Sequence, residues 1–112
     1  IGVVQGVPVC FDAKECATDT FTMRNIHEHQ MRFMEDFERQ NGISFLIIMF
    51  SGRNELYYMR FEELKRYQGR VDNGHPNNFK YAELDPGFFI RAKGGALVHY
   101  LEPLSKDLAD RG

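Results

Sequence analysis

Asp12-Ala13-Lys14 closes an apolar run that begins at Val7 and continues Val7-Pro8-Val9-Cys10-Phe11. Successive side chains of a strand alternate sides, so Asp12 and Lys14 share one side, about 7 Å apart along it. A carboxylate beside an ammonium at a strand end suits metal-assisted hydrolysis of a phosphodiester. The acid holds a hard divalent cation, and the lysine positions a water or steadies charge growing on the phosphate. Taken alone the triplet says little, because acid-x-lysine on a strand is ordinarily an exposed ion pair.

Further chemistry lies downstream. His29 and Gln30 fall on the apolar stripe of a predicted helix, where a polar group is costly without a partner. Either both hydrogen-bond to backbone at the edge of the stripe, or they face the end of the Asp12 strand, with Gln30 helping to hold water or metal. Cys10, Cys16, His27 and His29 offer a rival zinc site. Helix geometry argues against it, since residues two apart lie about 200° around the axis and do not converge on one ion. Cys10 makes a poor nucleophile, because an apolar strand raises its pKa and no base stands near it in sequence. Gly94-Gly95 lacks the spacing and lysine of a P-loop. Lys14, Arg24, Arg91 and Lys93 could form a phosphate track only by converging in three dimensions. Each alone is ordinarily a solvated charge.

The elements that must position these residues follow from pattern. Gly2 to Gln5 and Val7 to Asp12 read as a hairpin around Gln5-Gly6. Glu15 to Met23 reads as a polar loop. Asn25, with Glu28 three residues on, reads as the N-cap of a helix that runs to about Gln40 and stops at Asn41-Gly42. Its inward stripe is Ile26, His29, Gln30, Phe33, Met34 and Phe37. Ile43 to Phe50 is almost wholly apolar, as in a central strand covered on both faces. A strand over Glu55 to Arg60, a short helix over Phe61 to Tyr67 and a loop from Gln68 to Asn78 follow. Gly87 to Ile90 reads as a short strand, and Leu101 to Ala109 as a closing helix with Pro103 in its first turn. The order β-β-α-β-β-α implies an α/β sandwich with a mixed sheet.

At 112 residues the chain, 1–112, is one domain with one core. Ten Phe and five Tyr, with 43% hydrophobic residues, mark a folded chain. A formal net charge of −2 gives no overall basic signature, so nucleic-acid binding requires a local patch. The cysteines read as reduced thiols in a cytosolic setting. The apolar run from Ile43 to Phe50 is too short to span a membrane. The chain opens at Ile1-Gly2-Val3-Val4, already inside a strand and without an initiator Met, so an N-terminal part of the natural protein is expected to precede it.

Three stretches together, Val7 to Glu15, Thr20-Phe21-Thr22-Met23-Arg24-Asn25-Ile26-His27-Glu28-His29-Gln30 and Gly42 to Ile48, closely resemble the RecU family of Holliday-junction resolvases, within the PD-(D/E)-x-K nuclease superfamily. The family pattern is a strand with F-E-A-K-E, a Ser/Thr-Phe loop, an N-hydrophobic-H-x-H-Q helix start and a G-I-x-F strand. The match is strong from Gly2 to about Tyr58 and looser from Phe79 to Leu101. The resemblance implies a restriction-endonuclease-like α/β fold, a mixed central sheet flanked by helices. By position, Asp12 matches the family's second metal-binding acid and Lys14 its catalytic lysine. The resemblance implies the Ala13 carbonyl as a further ligand to Mg²⁺ or Mn²⁺, and Glu15, Asn25, His29 and Gln30 match other motif positions. Asp12 stands where the family usually has glutamate. The family's first metal-binding aspartate falls two residues before Gly2, and its N-terminal helix and stalk also lie upstream. The implied protein is a cytoplasmic homodimer that nicks DNA four-way junctions, with a recombinase as a further partner. A non-catalytic DNA-binding or recombination-modulating protein on the same scaffold is the alternative, as is a superfamily nuclease acting on other branched or linear DNA.

Overall fold

The computed structural model describes residues 2–4, 6–91 and 107. The expected hairpin is present. β1 (Gly2–Val4) pairs antiparallel with β2 (Val7–Cys16) around Gly6, whose φ of +82° is the left-handed conformation glycine adopts without strain. β2 runs past Asp12 to Cys16, so Cys16 is a buried strand residue and not part of a loop. Its thiol is held by the Thr18 and Thr20 carbonyls at 3.2 and 3.3 Å.

Where a polar loop was expected, β3 (Thr20–Thr22) forms, followed by a tight turn at Met23–Asn25. Helix α1 covers Glu28–Arg39, with His27 at its N-cap. Asn25 is therefore not the cap. Asn25 and Ile26 complete the turn instead, with the Ile26 N–H bonded to the Met23 carbonyl. The inward stripe is also rotated from expectation. Met34 is buried, whereas Phe33 is 50% exposed and His29 is exposed. α1 ends as read, with Asn41 in the left-handed region (φ 66°).

β4 (Ile43–Phe50) is the central strand, buried nearly throughout. It pairs parallel to β2, from Val9↔Ile43 to Cys16↔Phe50, and antiparallel to β5 (Glu55–Arg60). Helix α2 (Phe61–Asp72) continues five residues past the expected stop at Tyr67. β6 (Asn78–Lys80) pairs with β3 in a small second sheet, and β7 (Phe89–Arg91) pairs with β5, Arg91 opposite Glu55. The main sheet has the order β1-β2-β4-β5-β7, a mixed α/β sheet as expected for a restriction-endonuclease-like core. Lys93, the Gly94-Gly95 pair and the expected helix over Leu101 to Ala109 lie outside the described residues, Asp107 excepted.

A parallel β2–β4 pair requires a crossover, and α1 is that crossover. Both helices pack on the sheet face that carries Asp12. Met34 receives the Ser44 hydroxyl, and the Tyr57 hydroxyl donates to both oxygens of Glu63 at 2.7 and 2.9 Å. On the opposite face Phe11, Phe45, Tyr58 and Phe88 stack in a row, with centroid separations of 5.2, 4.3 and 5.9 Å. There the Tyr58 hydroxyl donates to Asp107 at 2.7 Å. The end of β2 is fixed from outside by Asp19, which accepts both an Nε and an Nη donor of Arg53 at 2.9 and 2.8 Å.

Candidate active site

Asp12 and Lys14 sit on the α1 face of β2, opposite Leu46 and Ile48 of β4. Their side chains close the gap set by strand spacing, with Lys14 Nζ 3.0 Å from Asp12 Oδ2. A third group reaches the same oxygen from α1. Gln30 Nε2 donates to Asp12 Oδ2 at 2.8 Å, while its Oε1 accepts the His27 N–H at 3.2 Å. The amide is thus used at both ends. Its oxygen completes one side of a capping box at the helix start, which leaves its nitrogen facing the strand. Both expectations for Gln30 are met in geometry, with one end of the amide on backbone and the other on Asp12.

These contacts decide the charge of Asp12. Partial burial pushes its carboxyl up. Hydrogen bonds from Lys14 and Gln30, the Lys14 charge and the Ala13 N–H outweigh that and hold it below its ordinary value. Asp12 is therefore a carboxylate at neutral pH. Its side chain keeps 45% of its exposure and Lys14 keeps 22%, so the pair is open to a ligand from solvent. Asp12 and Gln30 border a cleft of about 410 Å³ between α1 and β2, lined also by Cys10, Phe11, His29, Phe33 and Met34.

Other residues singled out in the sequence are placed differently. Glu15 alternates to the opposite side of β2 and is exposed. Arg24 and Asn25 are exposed in the turn before α1. Among the described residues no hydrogen bond or ion pair joins Glu15, Arg24, Asn25 or His29 to Asp12 or Lys14. Arg91 closes β7, and Lys93 is outside the described residues. His27 and His29 do not diverge as helix geometry implied, because α1 starts only at Glu28. Their rings lie parallel, 5.6 Å apart. Even so, no group of three or more His, Cys, Asp or Glu among the described residues could hold a metal. Both cysteines are free and buried, and Cys10 shares a hydrogen bond with Ser44 at 3.3 Å. The sequence reading missed His27 as the cap. The His27-x-x-Gln30 spacing carries that signal, since N-cap and N3 are three apart.

Residues 1–106 match the family described as Recombination protein U. The chain belongs to the RecU family. Among curated RecU relatives, it is 31% identical to the Holliday junction resolvase RecU of Pediococcus pentosaceus over 94% of this chain and 53% of that protein. It is 31% identical to that of Staphylococcus epidermidis over 97% of this chain and 53% of that protein. Identity rises to 36% with the RecU of Listeria welshimeri, over 74% of this chain and 42% of that protein. This RecU chain spans about half the length of the curated relatives it matches. No helix among its described residues is long and apolar enough to cross a membrane.

Proposed function

We propose that this RecU chain is the nuclease core of a structure-specific DNA endonuclease, which resolves four-way junctions by divalent-metal-dependent phosphodiester hydrolysis. The observation that carries the reading is one carboxylate oxygen, Oδ2 of Asp12, held by Lys14 and Gln30 while the side chain stays open to solvent. The naming of its relatives as Holliday junction resolvases supports the substrate.

The donor chemistry fits Mg²⁺ or Mn²⁺ in part. Asp12 is ionised, and hard cations take carboxylate and carbonyl oxygen. β1 pairs with β2 only from Val7 to Val9, so past Val9 the outer edge of β2 is unpaired among the described strands. Asp12 and the Ala13 carbonyl would hold the ion there, together with an acid from outside the described residues. The ion would supply Lewis-acid stabilisation of the phosphate and a more acidic water. Lys14 orients the attacking water or neutralises charge that grows on the phosphate as the P–O bond to the leaving sugar breaks. Gln30 keeps the Asp12 carboxylate in one rotamer, and Arg24, Arg91 and Lys93 contact the DNA backbone. Of the other motif residues, His29 lines the same cleft and supports this arrangement from the helix start, whereas Glu15 and Asn25 face solvent away from it. A homodimer suits a two-fold symmetric substrate cut on two strands. The protein acts in the cytoplasm, where it meets DNA and a recombinase.

The competing reading is a non-catalytic DNA-binding or recombination-modulating protein on the same scaffold. The full-length protein separates the two. Asp12→Asn is expected to bind a four-way junction normally and to nick it below detection in Mg²⁺. Lys14→Ala is expected to lose about 10²–10³-fold in rate at saturating metal. A wild type that binds but never nicks selects the non-catalytic reading, and an Asp12→Asn variant that nicks normally removes Asp12 from the site.

A further inference from the structure

Ser44 is fully buried at the start of β4 and makes an unusual number of polar contacts for a core position. Its hydroxyl donates to the Met34 carbonyl of α1 at 3.1 Å and lies 3.3 Å from the Cys10 thiol of β2. Its backbone N–H donates to the Glu38 carboxylate, also on α1. One residue therefore joins two turns of the helix to both central strands.

The spacing links this clamp to the site. Cys10 pairs with Ser44 and Asp12 pairs with Leu46, so the clamp lies one same-face step below Asp12 on the sheet. Gln30 lies four residues before Met34, one turn along the same helix face. Two strand residues advance about 6.6 Å and four helical residues about 6 Å, so helix and strand run in step over this distance. When Met34 is pinned at the Ser44 rung, Gln30 falls opposite Asp12.

We infer that Ser44 is a positioning residue that acts through α1 to set the hydrogen bond between Gln30 and Asp12. It does not touch the reacting groups. Removal of the hydroxyl takes away the bond to the Met34 carbonyl and the contact with Cys10, and leaves the Ser44 N–H to Glu38, one turn further along, as the remaining polar tie at this rung, so α1 loses its hold nearest Gln30. This inference rests on the proposed role of Asp12, and its test keeps the two apart.

The experiment uses the full-length protein with Ser44→Ala, Gln30→Ala and the double variant. The expected result for Ser44→Ala is a loss of about tenfold in kcat with KM for a four-way junction within about twofold, since the lost group orders the transition state and not the DNA. In the Gln30→Ala background, Ser44→Ala is expected to change kcat no further, the non-additivity of two residues acting through one contact. A second readout needs no activity. The Gln30 side-chain amide cross-peak, identified by its loss in Gln30→Ala, shifts towards that of a solvent-exposed glutamine in metal-free Ser44→Ala. A lower melting temperature with unchanged kcat and an unmoved amide peak overturns the inference and leaves Ser44 a core residue. So does an equal loss of kcat in both backgrounds. If the amide peak moves while the wild type shows no cleavage, positioning stands and the nuclease reading falls. Should Ser44→Ala fail to fold, Glu38→Ala removes the other bond of the clamp at a less buried position and is judged by the same two readouts.

Discussion

Gln30 shows how much one amide can decide. Its Oε1 takes the His27 N–H and its Nε2 serves Asp12, so its two ends can be tested separately. Gln30→Ala removes both bonds and is expected to lower stability by about 1–2 kcal/mol and to depress cleavage at least tenfold. Gln30→Glu keeps an acceptor for the His27 N–H but sets a second carboxylate against Asp12. It should retain more of the stability while losing as much activity. Urea denaturation and nicking rates on the two variants check this, and equal stability loss in both would show that the cap bond carries no weight. The Asp12–Lys14 contact was legible from strand alternation alone. The Gln30 contact was open to two readings in the sequence, because a polar residue on an apolar stripe has the same pattern whether it meets backbone or a site. A stripe read one residue out of phase puts Phe33, a rim position that is half exposed, into the core.

At the level of elements, long and strongly patterned segments were legible and short ones were not. β4 reads as buried because nearly every residue is apolar. β3 and β6 have three residues each and are held by pairing with one another and by Phe21 and Phe79 packing into the core, so nothing local marks them. α2 was cut short in the sequence because Gly69 and the polar residues around it resemble a loop. In the fold Gly69 sits within the helix, and a Cβ added there meets nothing within 4 Å. Gly69→Ala is therefore expected to stabilise the protein by about 0.5–1 kcal/mol, read as a higher urea midpoint at unchanged slope. The start of α2 carries a different burden. Glu63 is buried there, and desolvation holds its carboxyl above the ordinary glutamate value of 4.5, even with the Tyr57 hydroxyl donating to it and Arg60 and Arg66 nearby. The folded protein then keeps a proton that the unfolded chain has released. Its contribution to stability is complete below the ordinary value and declines as pH rises through the folded one. Against Glu63→Gln, whose amide has no such titration, the wild type should lose relative stability across that interval. Denaturation of both proteins from pH 4 to 8 measures the difference, and parallel curves would place Glu63 outside this account.

Over the molecule as a whole, the sheet is held by aromatic and aliphatic packing on both faces. Among the described residues no element depends on a cluster of metal ligands. Asp12 is anchored by side chains of the protein itself, Lys14 and Gln30. Removal of divalent metal with EDTA from the full-length protein is thus expected to abolish cleavage while lowering Tm by less than about 4 °C, the scale of a 1 kcal/mol change in a domain of this size. Re-addition of Mg²⁺ should restore activity without refolding, and a collapse of Tm on chelation would mean that the ion is structural. The mixed sheet itself was readable from element order, since a strand, a helix and a strand in succession favour a parallel pair. Which helix face meets the sheet, and at what height, was not, because that depends on the Ser44 rung and on the exact residue at which α1 begins.

The hydrogen bond from Gln30 to Asp12 spans 18 positions, with Lys14 inside the interval. Closing a loop costs entropy that grows only with the logarithm of its length, and contacts near in sequence form early in folding. The three side chains can therefore come together as soon as α1 docks on β2 and β4, before β5, β7 or the Asp107 contact exists. The order expected from this is that amides of α1 and β4 gain protection before those of β7, which pulsed hydrogen exchange during refolding measures. Breaks or insertions in the turn after Phe50 would leave the loop between Asp12 and Gln30 uncut.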